Sequence, residues 1–183
     1  KKLALDPEIP EQERNEMITE GKAFVLATLS MHSGEVGPAQ AAPLVAYKLI
    51  SSEDKEIGAI MKEVVFMMVP TQNPDGMNMV VEHYKKYKGT KYEGSYMPGL
   101  YHKYVGHDNN RDAFMLTQVE SQLVNRVLYK DWLPAVFLDM HQMGNSASRI
   151  FVPPFIDPLN PNTDPLIVWE IGLFGHRMAM DLE

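Results

Sequence analysis

His32-Ser33-Gly34-Glu35 sets an imidazole and a carboxylate three residues apart, near enough on a turn for both to bind one ion. Zinc accepts such a mixed nitrogen and oxygen set, and three protein ligands with a fourth position left open define a catalytic site. Taken alone, the pair is as readily a surface histidine beside a surface glutamate. Asp139-Met140-His141 offers a third ligand, with a carboxylate two residues before the imidazole that could orient the ring. The plainer alternative is a histidine satisfied by a backbone carbonyl at a strand end. Both histidines lie just past an apolar run, and that shared placement favours the ligand reading. With no cysteine in the chain, there is no thiolate ligand, thiol nucleophile or disulfide to consider.

A second polar cluster is Gly106-His107-Asp108-Asn109-Asn110-Arg111-Asp112. Arg111 beside Asn110 can bind a carboxylate with a fork of donors plus an amide, a geometry that a lysine does not reproduce. His107 could line the same cleft. The competing reading is local: Asn110 or Asp112 caps a helix starting near Ala113, and Arg111 pairs nearby. Lys85, Lys86, Lys88 and Lys91 make the chain's one basic stretch, and such runs are usually solvated surface. Ser148-Arg149 and the proline-bearing run after them could wall a pocket next to His141, or form a rigid connection. His83, His102 and His176 have no partner at metal spacing, and the methionines read as core filler.

The elements that must position these residues read as strands alternating with helices. Ala23–Leu29, Val64–Val69 and Ala135–Asp139 are short continuous apolar runs, as expected of strands buried on both faces of a parallel sheet. His32 and Glu35 follow the first, and His141 the third. Helices are expected over 7–20, 39–50, 113–129 and 165–180, a turn at Asn73-Pro74-Asp75-Gly76, and a long functional loop over 77–110. The fold class is therefore α/β, with a mostly parallel sheet flanked by helices and its site along the carboxyl ends of the strands. The composition, 45% hydrophobic and 22% charged, suits one globular domain over 1–183. A net charge of −7 argues against a sequence-independent grip on nucleic acid, and no apolar run is long enough to span a membrane.

His32-x-x-Glu35, Asn73-Pro74-Asp75-Gly76, Gly106-x-Asp108-x-Asn110-Arg111 and Asp139-x-His141, in this order, resemble the zinc carboxypeptidase family from about residue 22 to about residue 150. The resemblance implies a mixed eight-stranded sheet between helices, one Zn2+ bound by His32, Glu35 and His141, and a peptide's free carboxylate held by Asn110 and Arg111. It favours a secreted or periplasmic location.

Two departures shape what else is expected. The family's oxyanion-stabilising arginine should lie between the Asn-Pro-Asp-Gly and Asn-Arg motifs, yet 77–105 hold no arginine, leaving Lys85, Lys86 or Lys88 as substitutes. The family's general-base glutamate lies well beyond the last ligand, where this sequence offers only Glu170, in a predicted helix, and Glu183. The expectation is a catalytic domain shown without its carboxyl-terminal part, general base included. A removed signal peptide would fit the Lys1-Lys2 start. The leading activity is removal of carboxyl-terminal residues from peptides. Its competitors are a zinc deacylase acting on N-acyl amino acids and a non-catalytic zinc-binding domain.

Overall fold

The structure is a computed structural model in which residues 1–144, 146, 150–155 and 159–182 are described. The chain divides into two compact units, Lys1–Gln142 and Met143–Glu183.

In the first unit the three expected strands form: β1 is Ala23–Leu29, β2 Val64–Val69 and β3 Val136–Met140. They make a parallel sheet in the order β2-β1-β3. Parallel neighbours need crossovers. The first runs through helices α3 (Val36–Ser51) and α4 (Lys55–Glu63), the second through α5 (Pro74–Tyr87) and α6 (Val119–Arg126). The two cross the sheet in opposite directions, so the right-handed rule for such connections puts them on opposite faces. The order reverses at β1, the place where open α/β sheets bind ligands beyond the carboxyl ends of their strands. Helices α1 (Lys2–Leu5) and α2 (Glu11–Glu20) precede β1.

Burial follows that plan. β1, the central strand, is buried from Leu26 to Leu29, and Ala27, Leu29 and Ala42 of α3 form the core with Phe66 and Met68 of β2 beside them. β3 is an open edge, with Phe137, Leu138 and Met140 exposed. All the described strands are parallel, so the antiparallel members of a mixed eight-stranded sheet are not among them.

Four expectations from sequence are corrected. The segment over 77–110 is not one long loop, because its first part is α5. Asn73-Pro74-Asp75-Gly76 starts that helix rather than forming a free turn: the Asn73 side chain accepts from the Gly76 amide, and Pro74 takes the first helical position. The helix expected from 113 starts at Val119. Asp112 draws the Thr117 and Gln118 amides onto its own carboxylate, and Leu116 turns to φ 54°, so the bond from the Leu116 amide to the Asp112 carbonyl, at 2.7 Å, does not continue into a helix. α6 then passes into a π-helical turn, Val127–Asp131, before β3. The first helix of the charged segment ends near Gly21 as expected, but starts at Glu11 rather than 7.

In the second unit α7 spans Pro165–Met180, as the sequence predicts, with Asp164 capping the Leu166 amide. It passes close to the proline-bearing segment: a Cβ on Gly175 would lie 1.7 Å from the Pro153 carbonyl oxygen, so only glycine fits there. No helix among the described residues is long and apolar enough to cross a membrane.

Candidate metal centre

The loop leaving β1 turns sharply at Ser30, whose φ is 52°. The Ser30 hydroxyl accepts from the Ala39 amide at 3.0 Å and donates to the Glu35 carbonyl at 3.2 Å, folding His32 and Glu35 back over the strand end. From the neighbouring strand, β3 delivers Asp139 and then His141. Gln142 closes the loop: its amide donates to Glu35 Oε2 at 2.9 Å, and its side-chain oxygen accepts from the Gly37 amide at 2.8 Å.

These elements bring the three expected ligands together. Ligand atoms of His32, Glu35 and His141 lie within 4.8 Å of one another, the only such group of His, Asp and Glu among the described residues. His32 Nδ1 is 2.9 Å from Glu35 Oε1, His141 Nδ1 is 3.1 Å from Glu35 Oε2, and the two Nδ1 atoms are 3.3 Å apart. Ligands of a tetrahedral zinc with bonds of about 2.0–2.1 Å sit roughly 3.3 Å from one another. The donor set, two imidazole nitrogens and a carboxylate, is one zinc favours, so the residues fit that ion. The side chains are 20%, 23% and 31% exposed for His32, Glu35 and His141, which leaves the centre open to solvent.

Each imidazole is held from behind by a carboxylate. His32 Nε2 is 3.0 Å from Asp108 Oδ1, and His141 Nε2 is 2.9 Å from Asp139 Oδ2. With the outer nitrogen protonated and donating to an aspartate, the inner Nδ1 lone pair is free for a metal, the arrangement that fixes tautomer and ring angle at metal sites. Asp139 is fixed in turn: its Oδ1 accepts from the hydroxyl of Thr28 at 2.7 Å, directly across the β1–β3 register. Thr28 has no exposed surface. Burial alone would lower the pKa of His32, but its contacts with Glu35 and Asp108 outweigh this and raise it above 6.5. Burial resists ionisation of Asp108, yet donors from Tyr101, Asn110 and His32 bring its carboxyl down to about 2.

The other expected residues fall in different places. Asn110 and Arg111 lie on a 3-10 turn, Asn109–Arg111, capped by Asp108, which accepts from the Asn110 amide at 2.8 Å. Arg111 is exposed, with one guanidinium nitrogen on the Asn110 carbonyl. His107 turns to buried Asp112, at 3.3 Å. Lys85 and Lys86 are exposed on the last turn of α5, Lys86 over the Tyr87 ring. Among the described residues, no hydrogen bond or ion pair joins either lysine to the three ligands. Arg149, Ser148 and Glu183 lie outside the described residues. Glu170 is on α7, in the second unit.

Two residues at the centre carried no assigned role in the sequence. Asp108 was visible only as part of a motif, and its partner His32 is 76 positions away. Tyr101 donates to Asp108 Oδ1 at 2.8 Å and sets its ring against His32. A tyrosine in an irregular segment carries no spacing signal, so nothing in the sequence marked it. The structure also shows His102 buried, with neither ring nitrogen bonded to a protein group among the described residues, beside Gln72, Asn109 and Gln118.

Residues 12–144 match the sequence model of a family described as zinc carboxypeptidase. No curated protein and no solved structure gives a match.

Proposed function

The chain belongs to the zinc carboxypeptidase family, and from that premise we propose that it is the zinc-binding part of a hydrolase that removes carboxyl-terminal residues from peptides. His32, Glu35 and His141 are the ligands of one Zn2+. The observation that carries this reading is the pair of inward-facing Nδ1 atoms with Glu35 alongside, each ring held from behind by its own aspartate.

Zinc bound there supplies Lewis-acid polarisation of the scissile carbonyl and lowers the pKa of water. The chain's own residues bind and orient. Arg111 presents a solvent-facing fork of donors, and with Asn110 it takes the terminal carboxylate of the peptide. Both stand on the turn that Asp108 caps, and Asp108 also holds His32, so carboxylate anchor and metal ligand share one support. His107 borders that turn.

Hydrolysis also needs a group to take a proton from water and pass it on. Glu35, Asp108 and Asp139 are each engaged at the centre, so we assign that step to a carboxylate other than these three.

The test is release of carboxyl-terminal amino acids from a panel of peptides, measured for this chain and for the full-length gene product, beside hydrolysis of N-acyl amino acids. Release of terminal residues by the longer product, lost with a chelator, supports the peptidase. Preference for N-acyl amino acids replaces it with a deacylase, and zinc without either activity with a binding domain.

A further inference from the structure

The segment after α5 runs through residues 88–108 without a helix or strand, yet at Tyr101 it is held from several sides. The Tyr101 carbonyl accepts from the Ser33 hydroxyl at 2.8 Å, between His32 and Glu35, and from the Asn73 side-chain amide at 3.0 Å. That same amide nitrogen donates to the Met31 carbonyl at 3.1 Å, so Asn73 ties Tyr101 to the β1 loop. A Cβ on Gly76 would lie 2.0 Å from the Tyr101 carbonyl oxygen, which explains why the first turn of α5 carries glycine. Asn73 and Gly76 of the Asn-Pro-Asp-Gly motif therefore both act on the backbone of Tyr101.

With its backbone clamped, the side chain can be aimed. The Tyr101 ring meets the His32 ring edge-on, with centroids 5.1 Å apart and planes at 73°. Its hydroxyl donates at 2.8 Å to Asp108 Oδ1, the oxygen that also meets His32 Nε2 at 3.0 Å and the Asn110 amide at 2.8 Å. Three donors on one carboxylate oxygen fix the rotation of that carboxylate, and the ring edge limits the swing of the imidazole.

We propose that Tyr101 is a positioning residue of the metal centre, acting through Asp108 and against the His32 ring so that His32 Nδ1 faces the ion. The Asn73 and Gly76 side of the Asn-Pro-Asp-Gly motif serves to place it. This rests on the reading of His32 as a zinc ligand. Tyr101 itself touches neither the ion nor the substrate in this account.

The experiment is zinc affinity, by competition with a chromophoric chelator, for the wild type, Tyr101→Phe, Asp108→Asn and the double variant. The absorption spectrum of each with Co2+ reports ligand geometry, and melting of the metal-free proteins reports folding. Outer partners of ligand histidines are worth roughly 10–100-fold in metal affinity. Asp108→Asn should lose that much, Tyr101→Phe up to about 10-fold with a changed Co2+ spectrum, and the double variant no more than Asp108→Asn alone. Non-additivity of this kind is the mark of residues acting as a unit.

Zinc bound by the wild type but equally tightly by Tyr101→Phe would overturn the positioning role and leave the ligand assignment standing. Additive losses, or lower melting of metal-free Tyr101→Phe with an unchanged Co2+ spectrum, would reduce Tyr101 to a structural residue. A wild type that binds no zinc would remove the ligand assignment and this role with it.

Discussion

At the scale of residues, the candidate centre depends on hydrogen bonds that reach well beyond the three proposed ligands. Thr28 is the test from the β3 side, because its hydroxyl holds Asp139 and Asp139 holds His141. Thr28→Val keeps the shape and removes the donor. It should cost about 1–2 kcal/mol of stability and weaken zinc binding several-fold, read by denaturant melting and chelator competition. Arg111→Ala, by contrast, should leave zinc in place and lower kcat/KM for peptides with a free carboxylate, in the active product, by roughly 10–100-fold, the weight of lost charge-assisted hydrogen bonds.

Asp112 supplies a pH test away from the ligands. Burial would raise its pKa, but hydrogen bonds from Thr117, Ser121 and Gln118 outweigh that and hold it well below 3.8. A carboxyl depressed on folding contributes stability that is complete above its unfolded pKa of about 3.9 and is lost as pH falls through the folded value. Asp112→Asn should therefore destabilise at neutral pH by about 2–3 kcal/mol, with the gap to wild type closing as the solution is acidified. A gap constant with pH would contradict this. Of these residues, His32, Glu35, His141 and Asp139 stand out in the sequence because type and short spacing mark them. Asp108 and Tyr101 do not, because their importance comes from a partner far along the chain.

The elements divide in the same way. β1 and β2 could be read to the residue, since a short apolar run bounded by Gly21 and Ser30, or by Glu63 and Pro70, leaves little choice. α5 was hidden by Pro74, Gly76 and the lysines of its last turn, although Met77, Val80, Val81, Tyr84 and Tyr87 keep helical spacing. The non-helical stretch before α6 depends on the Asp112 side chain, which no periodicity reveals. Gly76 offers a test at this scale. In an ordinary helix Gly→Ala gains about 1 kcal/mol, but here the added methyl meets the Tyr101 carbonyl and the Asn73 amide. Gly76→Ala should instead destabilise by roughly 1–3 kcal/mol and loosen zinc binding through Tyr101, in the same chelator assay.

At the scale of the molecule, the core around β1 is small while β3 leaves apolar side chains open, so metal should contribute visibly to stability. A ligand that binds only the folded state adds about 2.7 kcal/mol at a free concentration 100 times its Kd. Zinc should therefore raise the melting temperature, and a chelator should reverse the gain. The α/β class and the place of the candidate site at strand ends were legible from the order of the runs. The exposure of β3 was not, because an apolar strand reads the same at an edge as in the middle of a sheet.

The most direct test of the central claim is zinc content per chain, by elemental analysis after dialysis, for the wild type and His141→Ala. The account predicts close to one zinc in the wild type and none held stoichiometrically by the variant, with both still folded by circular dichroism. Undiminished zinc in His141→Ala, or no zinc in a folded wild type, would contradict it.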